Sequence, residues 1–136
     1  MKLVSCARNK EVVDTLRLTT EGIEGDRPRK PGRHLTLLPA EVRQKITDGF
    51  WSRGLCVRKF GENMTISELT DLEVGDILNI GDARVEITEA GKHCFDDCAL
   101  YQEGSRCDLP VRAYFARIIA SGDVSAGMDI TVEKKA

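Results

Sequence analysis

At 136 residues, with 41% hydrophobic and 31% charged side chains, the chain has the size and composition of one ordinary globular domain spanning 1–136. A formal net charge of −2 gives no bulk electrostatic reason to expect nucleic acid or an anionic membrane as partner. No apolar run is long enough to cross a bilayer, and the five cysteines form no even disulfide framework, so reduced thiols in a cytoplasmic setting are expected.

Leu3 to Cys6 and Val12 to Leu18 read as short strands. Gly22, Gly25, Pro28, Pro31 and Gly32 break regular structure, which predicts a loop over 20–33. His34 to Leu38 returns to strand, and Pro39 suits the first turn of a helix. Val42, Ile46 and Phe50 follow at helical spacing, a one-sided apolar stripe that should end near Gly54. Ile77 to Ile80 and Ala83 to Thr88 flank Gly81-Asp82, the pattern of a two-residue hairpin with a type II′ or I′ turn. Tyr114 to Ile119 is expected as a strand, Ser121-Gly122-Asp123 as a turn and Met128 to Val132 as a last strand. A helix over His93 to Gln102 would put Cys94 and Cys98 on one face. Many short strands with one or two helices predict a mainly β domain, a closed or nearly closed barrel.

Chemistry concentrates in two places. Cys94, Cys98 and Cys107 follow Lys92 and His93 in a short stretch. Thiolates beside positive charge are stabilised, so these can accept sulfur, attack an electrophile or hold a soft metal. A structural zinc on His93 and the three cysteines is the competing reading, but a Cys-x3-Cys-x8-Cys spacing with an adjacent histidine closes a tetrahedron awkwardly. Cys6 and Cys56 stand alone and read as packing residues. The second place is Arg27-Pro28-Arg29-Lys30-Pro31-Gly32-Arg33, whose four cations have no acid among them. Arg33 begins a strand, where its planar fork can be aimed at a phosphate with Arg27, Arg29 and Lys30 around it; the alternative is a solvated basic loop. Glu62-Asn63 follows a glycine and serves either to cap a turn, to fix the surrounding loops or to hydrogen-bond a polar ligand edge.

Gly22-Ile23-Glu24-Gly25-Asp26, Arg33 through Glu41, Phe60-Gly61-Glu62-Asn63-Met64-Thr65 and Leu72 through Gly81 resemble, in this order, four signatures of the MOSC domain. The tail from Gly91 to Ile130 is similar to a small stand-alone subgroup associated with molybdopterin synthesis. Arg27 and Pro28 stand where many relatives carry a histidine. The resemblance implies a β-barrel-like fold and a role in molybdenum-cofactor or sulfur metabolism. It also implies a reactive cysteine, Cys98 or Cys94, that carries sulfur as a persulfide or, at Cys98, ligates molybdenum. Arg33, Arg27, Glu62, Asn63 and Lys92 would then bind molybdenum cofactor or molybdopterin. The sulfur donor would be a cysteine desulfurase whose pyridoxal phosphate belongs to that partner. Proteins of molybdopterin synthesis are the other expected partners. The alternative from a different class is an anion- or partner-binding barrel without thiol chemistry.

Overall fold

A computed structural model of the chain describes residues 1–9, 11–26, 32–49, 61–69, 71–90 and 113–134. Among them run β1 (Lys2–Arg8), β2 (Glu11–Val13), β3 (Thr15–Thr19), β4 (Gly22–Ile23), β5 (Leu35–Pro39) and α1 (Ala40–Thr47). There follow β6 (Met64–Ser67), β7 (Ile77–Ile80), β8 (Ala83–Ala90), β9 (Tyr114–Ala120), β10 (Gly122–Ser125) and β11 (Thr131–Glu133). The larger sheet has the order β11-β7-β8-β9-β5-β6-β1-β2, and the smaller β10-β3-β4. All pairings are antiparallel except β5 with β6, which are separated in sequence by α1.

Residues 127–130 join β1, next to one edge of the larger sheet, to the run that enters β11 at its other edge. Leu3 N–H donates to Met128 O at 2.9 Å, Gly127 N–H to Leu3 O at 2.7 Å, and Ile130 N–H to Met1 O at 2.9 Å. The same run continues into β11, which pairs with β7. The result is the nearly closed barrel expected from the many short strands. Its interior follows from period-two alternation: Ala83, Val85 and Ile87 of β8 are buried, while Arg84, Glu86 and Thr88 between them are not. Leu16 and Leu18 of β3 and Val124 of β10 enter the same core, so the small sheet packs on the barrel. Each such side chain contributes about 1.5–3 kcal/mol on burial.

The Gly81-Asp82 hairpin forms as expected, with Ile80 opposite Ala83. Only Gly81 of the pair takes a positive φ, +59°, which selects the type II′ turn. Three expectations need correction. The strand expected over Val12 to Leu18 breaks at Asp14: β2 folds back on β1, and β3 leaves for the smaller sheet. The loop expected over 20–33 contains β4. The turn expected at Ser121-Gly122-Asp123 is instead the start of β10. Gly122 is there because of crowding: a Cβ on it would lie 2.6 Å from the Ala83 nitrogen.

Pro39 forms the N-cap of α1, and Val42 buries the helix against the outer wall. The helix stops at Thr47, short of the expected Gly54, because Gly49 turns left-handed at φ +92°. The Val74-Gly75-Asp76 signature is a structural turn. Gly75 takes φ +99°, and the fully buried Asp76 carboxylate accepts from Glu73 N–H at 2.8 Å and Lys134 Nζ at 2.7 Å.

Candidate functional site

Arg33 sits one residue beyond Gly32, whose φ of +82° turns the chain toward β5. Its Nε and Nη2 both donate to the Glu89 carboxylate, the second at 2.8 Å, and its guanidinium lies over the Phe115 ring, 4.4 Å from the centroid. The fork is therefore held on two sides, by a carboxylate in plane and an aromatic face beneath. The hydrogen bond to Glu89 raises the Arg33 pKa further above its already high ordinary value, against a smaller opposing effect of burial. Nearby, the Thr88 hydroxyl bonds the Gly32 carbonyl, and Ile118 N–H donates to His34 Nδ1 at 3.1 Å.

Glu89 reaches this outer wall through an irregularity in the ladder. Between Ile87 and Glu89 the β8–β9 register shifts, so that Glu89 stands opposite Phe115. Strict alternation from Ile87 would have aimed Glu89 into the core; the bulge turns a charged side chain outward instead. Glu89 immediately precedes Ala90, which is paired with Tyr114. Residues 90 and 113, the described neighbours of the 91–112 segment, thus lie on the wall that carries Arg33. Cys94, Cys98, Cys107, Lys92, His93, Arg27, Arg29, Lys30 and Cys56 all lie outside the described residues.

Asn63 ties two strands to this wall. Its Oδ1 accepts from Thr36 N–H at 2.9 Å, and its Nδ2 donates to Ala7 O at 3.2 Å. Its own backbone exchanges further bonds with Thr36 and Ala7. Buried and bonded in this way, Asn63 fixes β1 and β5 around the 61–63 segment. Thr36 stands opposite Phe115 in the β5–β9 register. One connected path therefore runs from Asn63 through Thr36 and Phe115 to Arg33 and Glu89.

Glu62 faces differently. Its buried carboxylate accepts Arg43 Nε at 3.0 Å and Arg43 Nη2 on its two oxygens, and the Thr65 hydroxyl donates to it at 2.8 Å. Arg43, Glu62 and Thr65 line a cleft of about 320 Å³ together with Ser5, Ala7, Val12 and Gly61. The sequence reading missed Arg43 and Glu89. Arg43 had one available signal, its place beside Val42 on the edge of the helix's buried face. Glu89 had another, a charge at a register where Val85 and Ile87 point inward.

Cys6 is a packing residue as expected. It is 1% exposed, and burial pushes its thiol up from an ordinary 9.0 to about 11, which leaves it protonated and inert at neutral pH. Among the described residues no three side chains cluster as metal ligands, and no helix is long and apolar enough to cross a membrane.

Comparison with known proteins agrees with this architecture. A solved structure titled only as a hypothetical protein superposes with a TM-score of 0.68 at 26% identity, covering 96% of this chain and 67% of its own. YiiM from Escherichia coli gives a TM-score of 0.68 at 24% identity, over 100% of this chain and 71% of that one. YuaD from Bacillus subtilis gives 0.66 at 16% identity, over 99% and 94%. The last two likenesses speak to fold alone. A search of curated proteins found no matching sequence. The family model of the MOSC domain matches residues 24–131, which is most of the barrel with its outer wall, and the chain belongs to the MOSC domain family.

Proposed function

We propose that this protein handles molybdenum cofactor or its pterin precursor, binding the ligand's anionic end at Arg33 and offering a thiol of the 91–112 segment to its sulfur or metal end. MOSC domains are associated with molybdenum-cofactor proteins generally, and an arginine fork beside the strand end that leads to the cysteine segment supports the finer reading. The observation that carries the reading is the shared wall: Arg33 is bonded to Glu89, one residue before the strand end from which the cysteine segment departs. Arg27 and Lys92, which flank that wall in sequence, would add charge to the anion site. Asn63 and Glu62 serve as supports, holding strands and Arg43 in place.

In the sulfur-carrying form, the thiolate of Cys98 or Cys94 attacks the sulfane sulfur of a donor cysteine persulfide. A new S–S bond forms, the donor's S–S bond breaks, and the donor leaves as a thiolate that takes up the proton released here. A pyridoxal-phosphate-dependent cysteine desulfurase is the natural donor. In the metal-binding form, Cys98 would hold molybdenum as a soft donor. A reducing cytoplasm suits either form.

Intact mass after incubation with a desulfurase and cysteine tests the sulfur-carrying form. A gain of one sulfur atom, lost when Cys94 and Cys98 are both changed to Ser, supports it; no gain in the wild type argues against it. One observation favours a second reading, an anion- or partner-binding barrel without thiol chemistry. The Arg33 and Arg43 forks engage carboxylates, with no thiol among their described partners. Undiminished pterin binding by the cysteine-free variant, with no sulfur uptake by the wild type, would select it.

A further inference from the structure

Arg17, Arg33, Arg43, Arg84 and Arg117 are each paired with a carboxylate. Arg8, the last residue of β1, is the exception among the described arginines, although it is half-buried. Glu11 stands opposite it in the β1–β2 register, yet no ion pair joins them. Among the described residues Arg8 makes one hydrogen bond, from Nη1 to the Glu24 carbonyl at 3.4 Å, longer than the usual range. A cation drawn partly out of water without a counter-charge is costly, and such a group calls for a partner.

The turn that holds Arg8 also decides which of its edges is open. A Cβ on Gly25 would lie 3.2 Å from Arg8 Nη1 and 3.5 Å from both Cδ and Cζ. Gly25 takes φ +80°, so glycine both makes this turn and lets its backbone approach the guanidinium closely. Asn9, at φ +53°, donates from Nδ2 to the Gly25 carbonyl at 3.3 Å, which fastens the same turn to the end of β1 a second time. Nη1 and Cδ share one side of a guanidinium, and here that side lies against the turn. The Nε–Nη2 edge therefore points away from it. With this edge Arg33 and Arg43 grip their carboxylates, and Arg84 meets Asn79 and Glu133. On Arg8 it carries no bond among the described residues. We infer that the Nε–Nη2 edge of Arg8 is a receptor for an oxyanion from solution, a phosphoryl or carboxylate group that presents two oxygens to the fork. The site is distinct from the Arg33–Glu89 pair, since β6 lies between β1 and β5 in the sheet, and it does not rest on the proposed function. At Arg33 a ligand must displace an acid of the chain, whereas at Arg8 it displaces none.

The test is a calorimetric titration of full-length Arg33→Ala, which lacks the other anion site, with inorganic phosphate and in parallel with acetate at low ionic strength. At least one of the two should bind. Adding Arg8→Gln should weaken that binding at least on the order of tenfold, the scale of one charge-assisted contact. Glutamine keeps a side-chain N–H for the Glu24 carbonyl, so a merely structural role for Arg8 would leave the affinity unmoved. Arg8→Lys keeps the charge without the fork and should also bind more weakly than arginine. Tighter binding of phosphate assigns the site to phosphoryl groups, and tighter binding of acetate assigns it to carboxylates. A second readout uses the wild type and needs no variant at Arg8: phenylglyoxal should label Arg8 ahead of Arg43, and the bound anion should slow that labelling. Binding of neither anion by Arg33→Ala overturns the inference, as does equal binding after Arg8→Gln or unchanged labelling of Arg8 under a saturating anion. Sulfur uptake and the Arg33 site are read by other measurements, so failure here sinks this inference alone.

Discussion

Among the described residues Arg33 and Arg43 each grip a carboxylate with two nitrogens, and they differ in what lies behind them. Arg33 and Glu89 are 41% and 43% exposed at their side chains, whereas Arg43 is 30% exposed and its partner Glu62 only 5%. Water screens the first pair, so its net worth to the fold is about 0–1 kcal/mol. A competing anion can therefore take Glu89's place at small cost. The second pair is set around a buried carboxylate, and removing its cation strands a charge in the wall. The same chemical motif is thus open to water in one place and built around a buried carboxylate in the other. In the sequence Arg33 and Arg43 look alike; depth decides how firmly each is tied to its partner.

The largest effect expected from this contrast is at Arg43. Arg43→Met should destabilise the protein by about 3–5 kcal/mol, the cost of leaving a buried carboxylate without its partner. Urea titration checks it, and a loss below about 1 kcal/mol would place Glu62 in contact with water and erase the contrast. Next comes Arg33→Ala. Its stability should move by less than about 1 kcal/mol, while pyrophosphate binding weakens by about 1.5–3 kcal/mol, the scale of a hydrogen bond to a charged group. Calorimetric titration reads the second number, and unchanged affinity would remove Arg33 from the anion site. Glu89→Gln sharpens the point from the other side. It removes the competing charge but keeps the shape, so pyrophosphate should bind more tightly than to the wild type.

The thiols offer the same comparison between depth and exposure. Cys6 should resist alkylation in the native state at neutral pH, while Cys94 or Cys98 reacts first; mapping adducts over time decides it. Because folding raises the Cys6 pKa, its contribution to stability is fully present below about pH 9 and is lost as pH rises through about 11. Melting temperature across that range should fall less steeply in Cys6→Ala than in the wild type.

What could be read from the sequence was mostly local. The hairpin of β7 and β8 was legible because its two β-rich runs and Gly81-Asp82 carry the whole motif within a few residues. A nearly closed barrel was legible from the many short strands, but not the contacts that close it, which are backbone bonds between residues 1–3 and 127–130. Gly122 misled because glycine signals a turn by default, whereas here it only makes room for the Ala83 backbone. Arg33 was legible as an arginine just ahead of the strand that became β5. Its engagement by Glu89, 56 residues away, depended on a bulge that no periodicity announces. Glu62 and Asn63 looked like one polar pair in sequence, yet Asn63 is spent on the backbone of Thr36 and Ala7 while Glu62 turns to Arg43.

The central claim is that the anion held by Arg33 and the reactive thiol share one site, and ligand protection measures it directly. The rate of iodoacetamide labelling at Cys94 and Cys98 would be followed with and without pyrophosphate, in the wild type and in Arg33→Ala. Pyrophosphate should slow labelling of at least one of these thiols in the wild type and have no effect in the variant. Equal labelling rates with and without pyrophosphate in the wild type, at concentrations where calorimetry shows it bound, would place the anion and the thiols apart and contradict the account.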